Sequence, residues 1–377
     1  MFIVVLLVLL LVLGSSNFYL AHRLWRWIHE FCPNLTLTWP LIFCVVMTVM
    51  MLLSVIKPFS GVLQRVISCL GVCWMGLFVY LLLSFLLADV VTLVPRLLKL
   101  LSDSAMAKFR LIAGISATAL ALSVCIYGFC HAQRICTKDY NISLSDASGD
   151  QMKIVFISDV HLGALGSEAR LEKIVDKINA ASPDLVCIGG DFFDSNFASI
   201  SDPERALEIM HRIESRYGVY ACLGNHDAGK TFPAMEDFLA RANVTLLKEE
   251  YVVIDGRLIL AGRLDGTPIG GAGENQRGEL ETVLQGADPS LPVVMLDHNP
   301  ASVDSYRDEV DLLLSGHTHR GQIFPGSLIT GAMYTVDYGY YRADSGLQAI
   351  VSSGAGIWGL PMRVGTDCEF VVIRLEF

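Results

Sequence analysis

Asp159-Val160-His161, Gly190-Asp191, Gly224-Asn225-His226-Asp227, His298-Asn299-Pro300 and Gly316-His317-Thr318-His319 are five short polar segments that hold five of the chain's nine histidines. Each lies next to an apolar run that reads as a strand. A lone histidine is usually a satisfied core or surface residue. Five His, two Asp and one Asn, all at strand ends, resist explanation as packing. Imidazole and carboxylate ligands suit borderline-hard divalent cations, and eight such groups suffice for two ions rather than one. The chemistry expected of these residues is hydrolysis at a pair of divalent metals.

The surrounding elements must carry the segments to one place. Lys153–Ser158, Asp184–Gly189, Val219–Leu223, Val293–Leu296 and Leu312–Ser315 read as strands, and one polar segment leaves each of them. Glu168–Ala180, Pro203–Tyr217 and Phe232–Ala242 read as amphipathic helices, with Asp202 as an N-cap and Gly218 ending the second. Further strands are expected at Val244–Leu247, Tyr251–Ile254, Leu258–Ala261, Ala349–Ser352 and Glu369–Leu375. Alternating strands and helices, then mainly strands, fit an α/β domain with two sheets. Loops at the carboxyl ends of strands are where such folds place their chemistry. The polar segment Asp265–Arg277 reads either as a lid or as a plain surface loop.

Charge divides the 377 residues in two. Residues 1–150 carry 10 Lys and Arg against 6 Asp and Glu, and the remainder carries 18 against 32. The acidic part argues against nucleic acid as a partner, because phosphate backbones need a basic footprint. The N-terminal part holds four uncharged apolar stretches, at about residues 2–20, 39–56, 66–87 and 111–130. A bilayer crossing needs roughly 20 apolar residues. A soluble bundle would show polar faces, and these stretches show almost none. The expected organisation is a four-helix membrane region over 1–130, a linker or first edge strand over 131–150, and a catalytic domain over 151–377.

The first stretch lacks a basic n-region and a convincing cleavage site, so it reads as retained. Arg23 and Arg26 follow span one, and Arg96, Lys99, Lys108 and Arg110 follow span three. The opposite side has Lys57 and Arg65, then Arg134 and Lys138. The excess places loops one and three in the cytoplasm and, with an even span count, the acidic domain outside it. The ten cysteines form no CxxC or disulfide framework and are not expected to bind metal. His22, His29, His131 and His211 read as interfacial or surface residues.

In these segments the chain resembles the calcineurin-like metallophosphoesterases. The likeness covers about 220 residues and all five blocks in order, the ordered set being more specific than any block alone. Ser158-Asp159-Val160-His161, Gly189-Gly190-Asp191-Phe192-Phe193-Asp194 and Gly316-His317-Thr318-His319-Arg320-Gly321-Gln322 are similar to the membrane-associated bacterial branch, as are Ser353-Gly354-Ala355-Gly356, Pro361 and Arg363. The resemblance implies a four-layer α/β/β/α sandwich of two mixed sheets. It implies one ion on Asp159, His161 and His319, another on Asn225, His298 and His317, and Asp191 bridging both. It implies a bridging hydroxide as nucleophile and His226 protonating the leaving alkoxide, a structural hydrogen bond to the metal loop being the other reading of His226. Asp227 reads as orienting the His226 ring, and Arg320 either as gripping a phosphoryl oxygen or as a solvated surface residue. Asp194 reads as a support to the site or as a surface residue, and Tyr338, Tyr340 and Tyr341 as cleft or core.

The expected protein is a multi-pass, membrane-anchored hydrolase of phosphate mono- or diesters with two divalent ions, Mn, Fe, Zn or Mg. Its partners are the lipid bilayer and a phosphoester, including lipid-linked ones. A UDP-diacylglucosamine-type lipid pyrophosphate hydrolase is the alternative within enzymes. A catalytically inactive membrane sensor or scaffold is the alternative outside them, and it would lack one or more ligands. Every ligand position is filled here.

Overall fold

The strands after residue 150 have two faces, and in the central ones, such as residues 154–157, 185–189, 258–262 and 312–315, both are buried. The computed structural model describes residues 2–56, 58–59, 61–144, 149, 151–164, 167–271, 273, 276–306 and 309–377. The chain forms two compact units, Met1–Phe129 and Cys130–Phe377.

The first unit comprises α1 (Phe2–Ile28), α2 (Thr38–Ile56), α3 (Gly61–Leu97) and most of α4 (Asp103–His131). All four helices are long and apolar enough to cross a membrane. Their outward faces carry exposed Leu11, Val55, Val62 and Ile126, which only an apolar surround would accommodate. The helices overrun the stretches read from the sequence. Arg23, Arg26, Arg96 and Arg110 therefore sit on helical turns rather than in loops. Lys57, counted above on the opposite side, lies outside the described residues.

In the second unit, β1 (Ile135–Ser143), β12 (Cys368–Glu376), β2 (Gln151–Ile157), β3 (Leu185–Gly189), β4 (Val219–Cys222) and β5 (Val244–Leu246) form one sheet in that order. The other sheet runs β10 (Gly339–Arg342), β11 (Gln348–Val351), β9 (Leu312–Ser315), β8 (Val293–Leu296), β7 (Leu258–Gly262) and β6 (Glu250–Ile254). Both are mixed: β2 to β5 are mutually parallel while β12 runs antiparallel to β2. In the second sheet β7, β8, β9 and β11 are parallel, with antiparallel edges at β6 and β10.

The period-2 rule of strands sets the layers. Ile154, Phe156, Leu185 and Cys187 pack against Leu260, Val294, Leu296, Leu312 and Leu314, making the core between the sheets. The alternate residues Val155, Ile157, Val186 and Ile188 face outward and are covered by α5 (Ser167–Ala181), α6 (Pro203–Met210) and α7 (Phe232–Arg241). On the far side Ile259, Met295, Leu313 and Val351 form a third core, with Val283 of the short α8 (Leu280–Val283) and Tyr306. Full burial of each such side chain is worth about 1.5–3 kcal/mol. The architecture is the α/β/β/α sandwich.

Four elements settle, shorten or add to the sequence reading. Of residues 131–150, read as a linker or a first edge strand, Ile135–Ser143 form β1, the edge strand of its sheet, paired in parallel with β12 along nine positions. The helix expected over Pro203–Tyr217 starts on Asp202 and Pro203 as anticipated but ends at Met210, making His211 a cap rather than mid-helix. The reason is Asn179 of α5. Its side-chain amide donates to Arg212 O at 2.6 Å and its carbonyl accepts from Glu214 N at 3.0 Å, taking backbone groups that a longer helix would use. β10 and the exposed α9 (Gly326–Met333) were not anticipated.

Candidate metal centre

Asp159 and His161 follow β2, Asp191 follows β3, and Asn225, His226 and Asp227 follow β4. His298 follows β8, and His317 and His319 follow β9. Parallel strands present their carboxyl ends together, so five loops converge on one edge of the sandwich. The turns are abrupt. Asp159, His161, Asp191, His317 and His319 all take positive φ, between 48° and 69°. A non-glycine residue held there costs on the order of 1–3 kcal/mol and persists only where the surroundings impose it. Short loop bonds do the imposing: Asp159 N donates to Gly190 O and His161 N to Asp191 O, both at 3.0 Å. Gly190 has φ 82°, and a Cβ there would lie 2.7 Å from both Gly224 N and His298 Nδ1. Glycine is required at that crossing.

Two groups of ligand-type atoms result, each lying within 4.8 Å: Asp159, His161 and His319 in one, Asp191, His298 and His317 in the other. His161 Nε2 and His319 Nε2 are 3.1 Å apart, and His319 Nε2 is 3.3 Å from Asp159 Oδ1. In the second group His298 Nε2 is 3.2 Å from Asp191 Oδ2, and His317 Nδ1 is 2.8 Å from Asn225 Oδ1. Asp191 Oδ2 also lies 3.8 Å from His161 Nε2, so this carboxylate stands between the groups. Its other oxygen accepts from His226 N at 2.7 Å. A third grouping, His161, Asp194 and His226, lies toward the Nδ1 side of His161.

These residues fit divalent ions. His298 donates Nδ1–H to Gly189 O at 2.8 Å, which turns a bare Nε2 lone pair inward. That atom is buried with no hydrogen-bond partner among the described residues. An orphaned buried nitrogen facing carboxylates and other imidazoles is of the type that could hold a metal ion in His/Asp/Asn sites. Buried opposite charges shift the titration of the cluster. Burial alone would raise Asp191, yet His298 and His161 beside it hold its carboxyl far below the usual range. Burial would lower His298, but Asp191 and Asp159 push it well up. His319 moves well down, through burial and the Arg363 guanidinium. Burial also lowers His317.

His226 sits at the rim of this cluster. Its Nδ1 meets the Ser195 hydroxyl, its ring lies edge-on to His161 at 5.0 Å, and Trp358 is 6.1 Å away. Burial lowers its pKa, against the opposing pull of Asp191. The Ser195 contact leaves Nε2 as the ring's available nitrogen. Asp227 does not orient this ring, which corrects the sequence reading. Its carboxylate accepts backbone N–H bonds from Phe192 at 3.2 Å, Phe193 at 2.8 Å and Gly224 at 3.0 Å. It ties the β3 and β4 loops together. Burial and the Asp191 charge push it up to about 7, against the Gly224 and Phe193 donors.

Arg320 follows His319, but its guanidinium lies 4.3 Å over the Tyr338 ring. Tyr338 in turn donates to Glu369 at 3.0 Å, while Tyr340 lies on the β10 edge, bonded to Gln348. Asp194 Oδ1 is 3.6 Å from His161 Nδ1, close enough for attraction but too long for a hydrogen bond. The loop over Asp265–Arg277 is pinned at its far end, where Arg277 grips Asp297 at 2.7 and 2.9 Å.

Three contributors were not legible as such. Ser195 lies in no motif. Asp297 adjoins His298, and that adjacency was its only signal. Arg363 was noted for resemblance alone. It is fully buried and donates to His319 O at 3.0 Å, Ser353 O at 2.7 Å and Gly356 O at 2.8 Å, fastening His319 to the loop before β12.

Comparison with known proteins gives a consistent picture. The profile of the calcineurin-like phosphoesterase family matches residues 152–321. An uncharacterized metallophosphoesterase of Helicobacter pylori is 33% identical over 232 residues, 61% of this chain and 61% of that protein's length. One from Aquifex aeolicus is 32% identical over 231 residues, 60% of this chain and 86% of that protein. A transmembrane protein with metallophosphoesterase domain from Danio rerio is 29% identical over 333 residues, 82% of this chain and 72% of that protein.

Proposed function

This chain belongs to the calcineurin-like phosphoesterases, and from that premise we propose that it is a membrane-anchored hydrolase of phosphate mono- or diesters that works with two divalent ions. The position of Asp191 carries the reading: one carboxylate oxygen lies 3.8 Å from His161 and 3.2 Å from His298, between two groups of ligand-type atoms. Asp159, His161 and His319 would hold one ion and Asn225, His298 and His317 the other, with Asp191 shared. Bound ions would neutralise phosphoryl charge and acidify a water toward neutral pH.

The chain's own residues do the rest. Buried Asp159, His161 and His298 hold their positions without competing solvent. His226 N fixes the orientation of Asp191. The Ser195 hydroxyl occupies Nδ1 of His226, leaving Nε2 as the nitrogen from which the ring would protonate a leaving oxygen. Arg320 rests on Tyr338, and no carboxylate pairs with it among the described residues, so its donors remain available to a phosphoryl group.

A lipid-linked phosphoester is favoured by the surface beside the centre. Helix α9 begins five residues after Gly321 and exposes Leu328, Ile329 and Met333, each at least 60% accessible. Tyr334, at its end, stacks edge-on to His317 at 6.3 Å. Exposed Trp358 flanks His226. An apolar surface next to a hydrolytic centre suits a substrate with an apolar tail. The Lys and Arg distribution supports a catalytic unit outside the cytoplasm.

The test is a phosphoester panel on the purified full chain with Mn, Zn, Fe or Mg, including soluble mono- and diesters and lipid-linked pyrophosphates. Metal-dependent turnover of at least one phosphoester is expected. No turnover with any metal in protein that retains its ions would instead favour the inactive sensor or scaffold.

A further inference from the structure

The first unit contains a cavity of about 450 Å³, within the range of roughly 300–1,000 Å³ typical of small-molecule sites. Arg23 and Arg26 of α1, Arg96 of α3 and Arg110 of α4 line it, so three helices send guanidiniums to one space. The acids that face it are Asp89 and Glu30, leaving an excess of positive charge. Asp89 is already engaged, by Arg23 and by the Tyr19 hydroxyl at 2.7 Å. Arg26, Arg96 and Arg110 have no ion-pair partner among the described residues.

The positive-inside rule accounts for basic residues near span ends but not for their convergence. Lys99 and Lys108 lie in the same region, are exposed, and do not line the cavity. Every basic residue that does line it is Arg. The planar guanidinium fork matches phosphate oxygens in pairs, whereas Lys offers only a point charge. Like charges sharing one concave space repel until an anion enters it. One wall of the cavity is apolar: Leu86, Val90 and Leu93 line it and are exposed along α3.

We propose that this cavity binds the headgroup of an anionic phospholipid, with the phosphate held by Arg26, Arg96 and Arg110 and the acyl chains lying along Leu86, Val90 and Leu93. The basic floor names the phosphate, and the apolar wall favours a lipid over a free ion. Basic pockets between membrane helices bind lipid headgroups by the same physics. This site is separate from the metal centre, so its failure leaves the hydrolase reading untouched.

The experiment uses the full chain in nonionic detergent, with bound lipid counted by native mass spectrometry. The probes are phosphatidylglycerol, phosphatidylcholine and inorganic phosphate. One phosphatidylglycerol per chain is expected, held at least tenfold more tightly than phosphatidylcholine and not displaced by equimolar phosphate. R26Q/R110Q should erase that preference, while R65Q, at the other end of α3, should keep it. Should R26Q/R110Q fail to fold, Arg96→Gln alone should weaken the lipid several-fold. Equal binding of the two lipids, full retention in R26Q/R110Q or in Arg96→Gln, or displacement by equimolar phosphate would each overturn the proposal.

Discussion

The Nε2 atoms of His161 and His319, 158 positions apart in the chain, face each other across 3.1 Å in a fully buried setting. Two neutral imidazoles can meet this way only if one carries its proton on that nitrogen. Two bare nitrogens beside the Asp159 carboxylate instead make a ready pocket for a cation. That juxtaposition has a direct consequence for metal content.

Active protein should contain two divalent ions per chain by elemental analysis, and chelation should abolish phosphoester turnover. Asp191→Asn should be the most damaging single ligand change, exceeding the 10–100-fold typical of residues that merely support ligands. A fully active enzyme with one ion or none would sink the two-ion reading.

His226→Ala should keep both ions yet lose about 10²–10⁴ in rate on substrates with alkoxide leaving groups. Aryl phosphates, whose leaving groups barely need a proton, should lose less. Ser195→Ala should reproduce a milder form of the same selectivity, about tenfold, because it removes one hydrogen bond to the ring. An equal loss on both substrate types would make His226 structural.

Asp227→Asn should act on stability and not on leaving-group selectivity. Its carboxylate accepts from Phe192, Phe193 and Gly224, and an amide offers one acceptor oxygen where two were used. Leaving a buried N–H unpaired costs about 1–3 kcal/mol. Thermal unfolding should shift down while the ratio of alkyl to aryl turnover stays put. A changed ratio at unchanged stability would restore the orienting role.

Arg363→Lys should behave almost as badly as Arg363→Met, since a single ammonium cannot reach His319 O, Ser353 O and Gly356 O together. Both variants should melt lower and bind metal more weakly. Wild-type metal affinity in Arg363→Met would show that the last ligand loop holds itself.

On the proposed orientation, in which the basic ends of α1, α3 and α4 around Arg23, Arg26, Arg96 and Arg110 face the cytoplasm, protease added to intact cells with a permeabilised outer barrier should digest the catalytic unit. Protection that persists until the inner membrane is lysed would reverse the assignment.

Chemistry and secondary structure were local enough to be legible in the chain. Ligand types are residue types, strand faces follow from alternation, and Gly190 and Pro203 act through their own backbones. The order of the five polar segments already implied a shared edge, because parallel strands bring their carboxyl ends together. What the tertiary structure decided depends on partners distant in sequence. Asn179 stops α6 from the neighbouring helix by taking its backbone groups. Asp227 stands beside His226 in sequence but turns to the β3 loop, while Ser195, 31 positions away, meets the ring instead. Arg363 reaches His319 across 44 residues. Side-chain direction is set by packing and by which buried backbone groups need a partner, and neither quantity is written in the spacing of a motif.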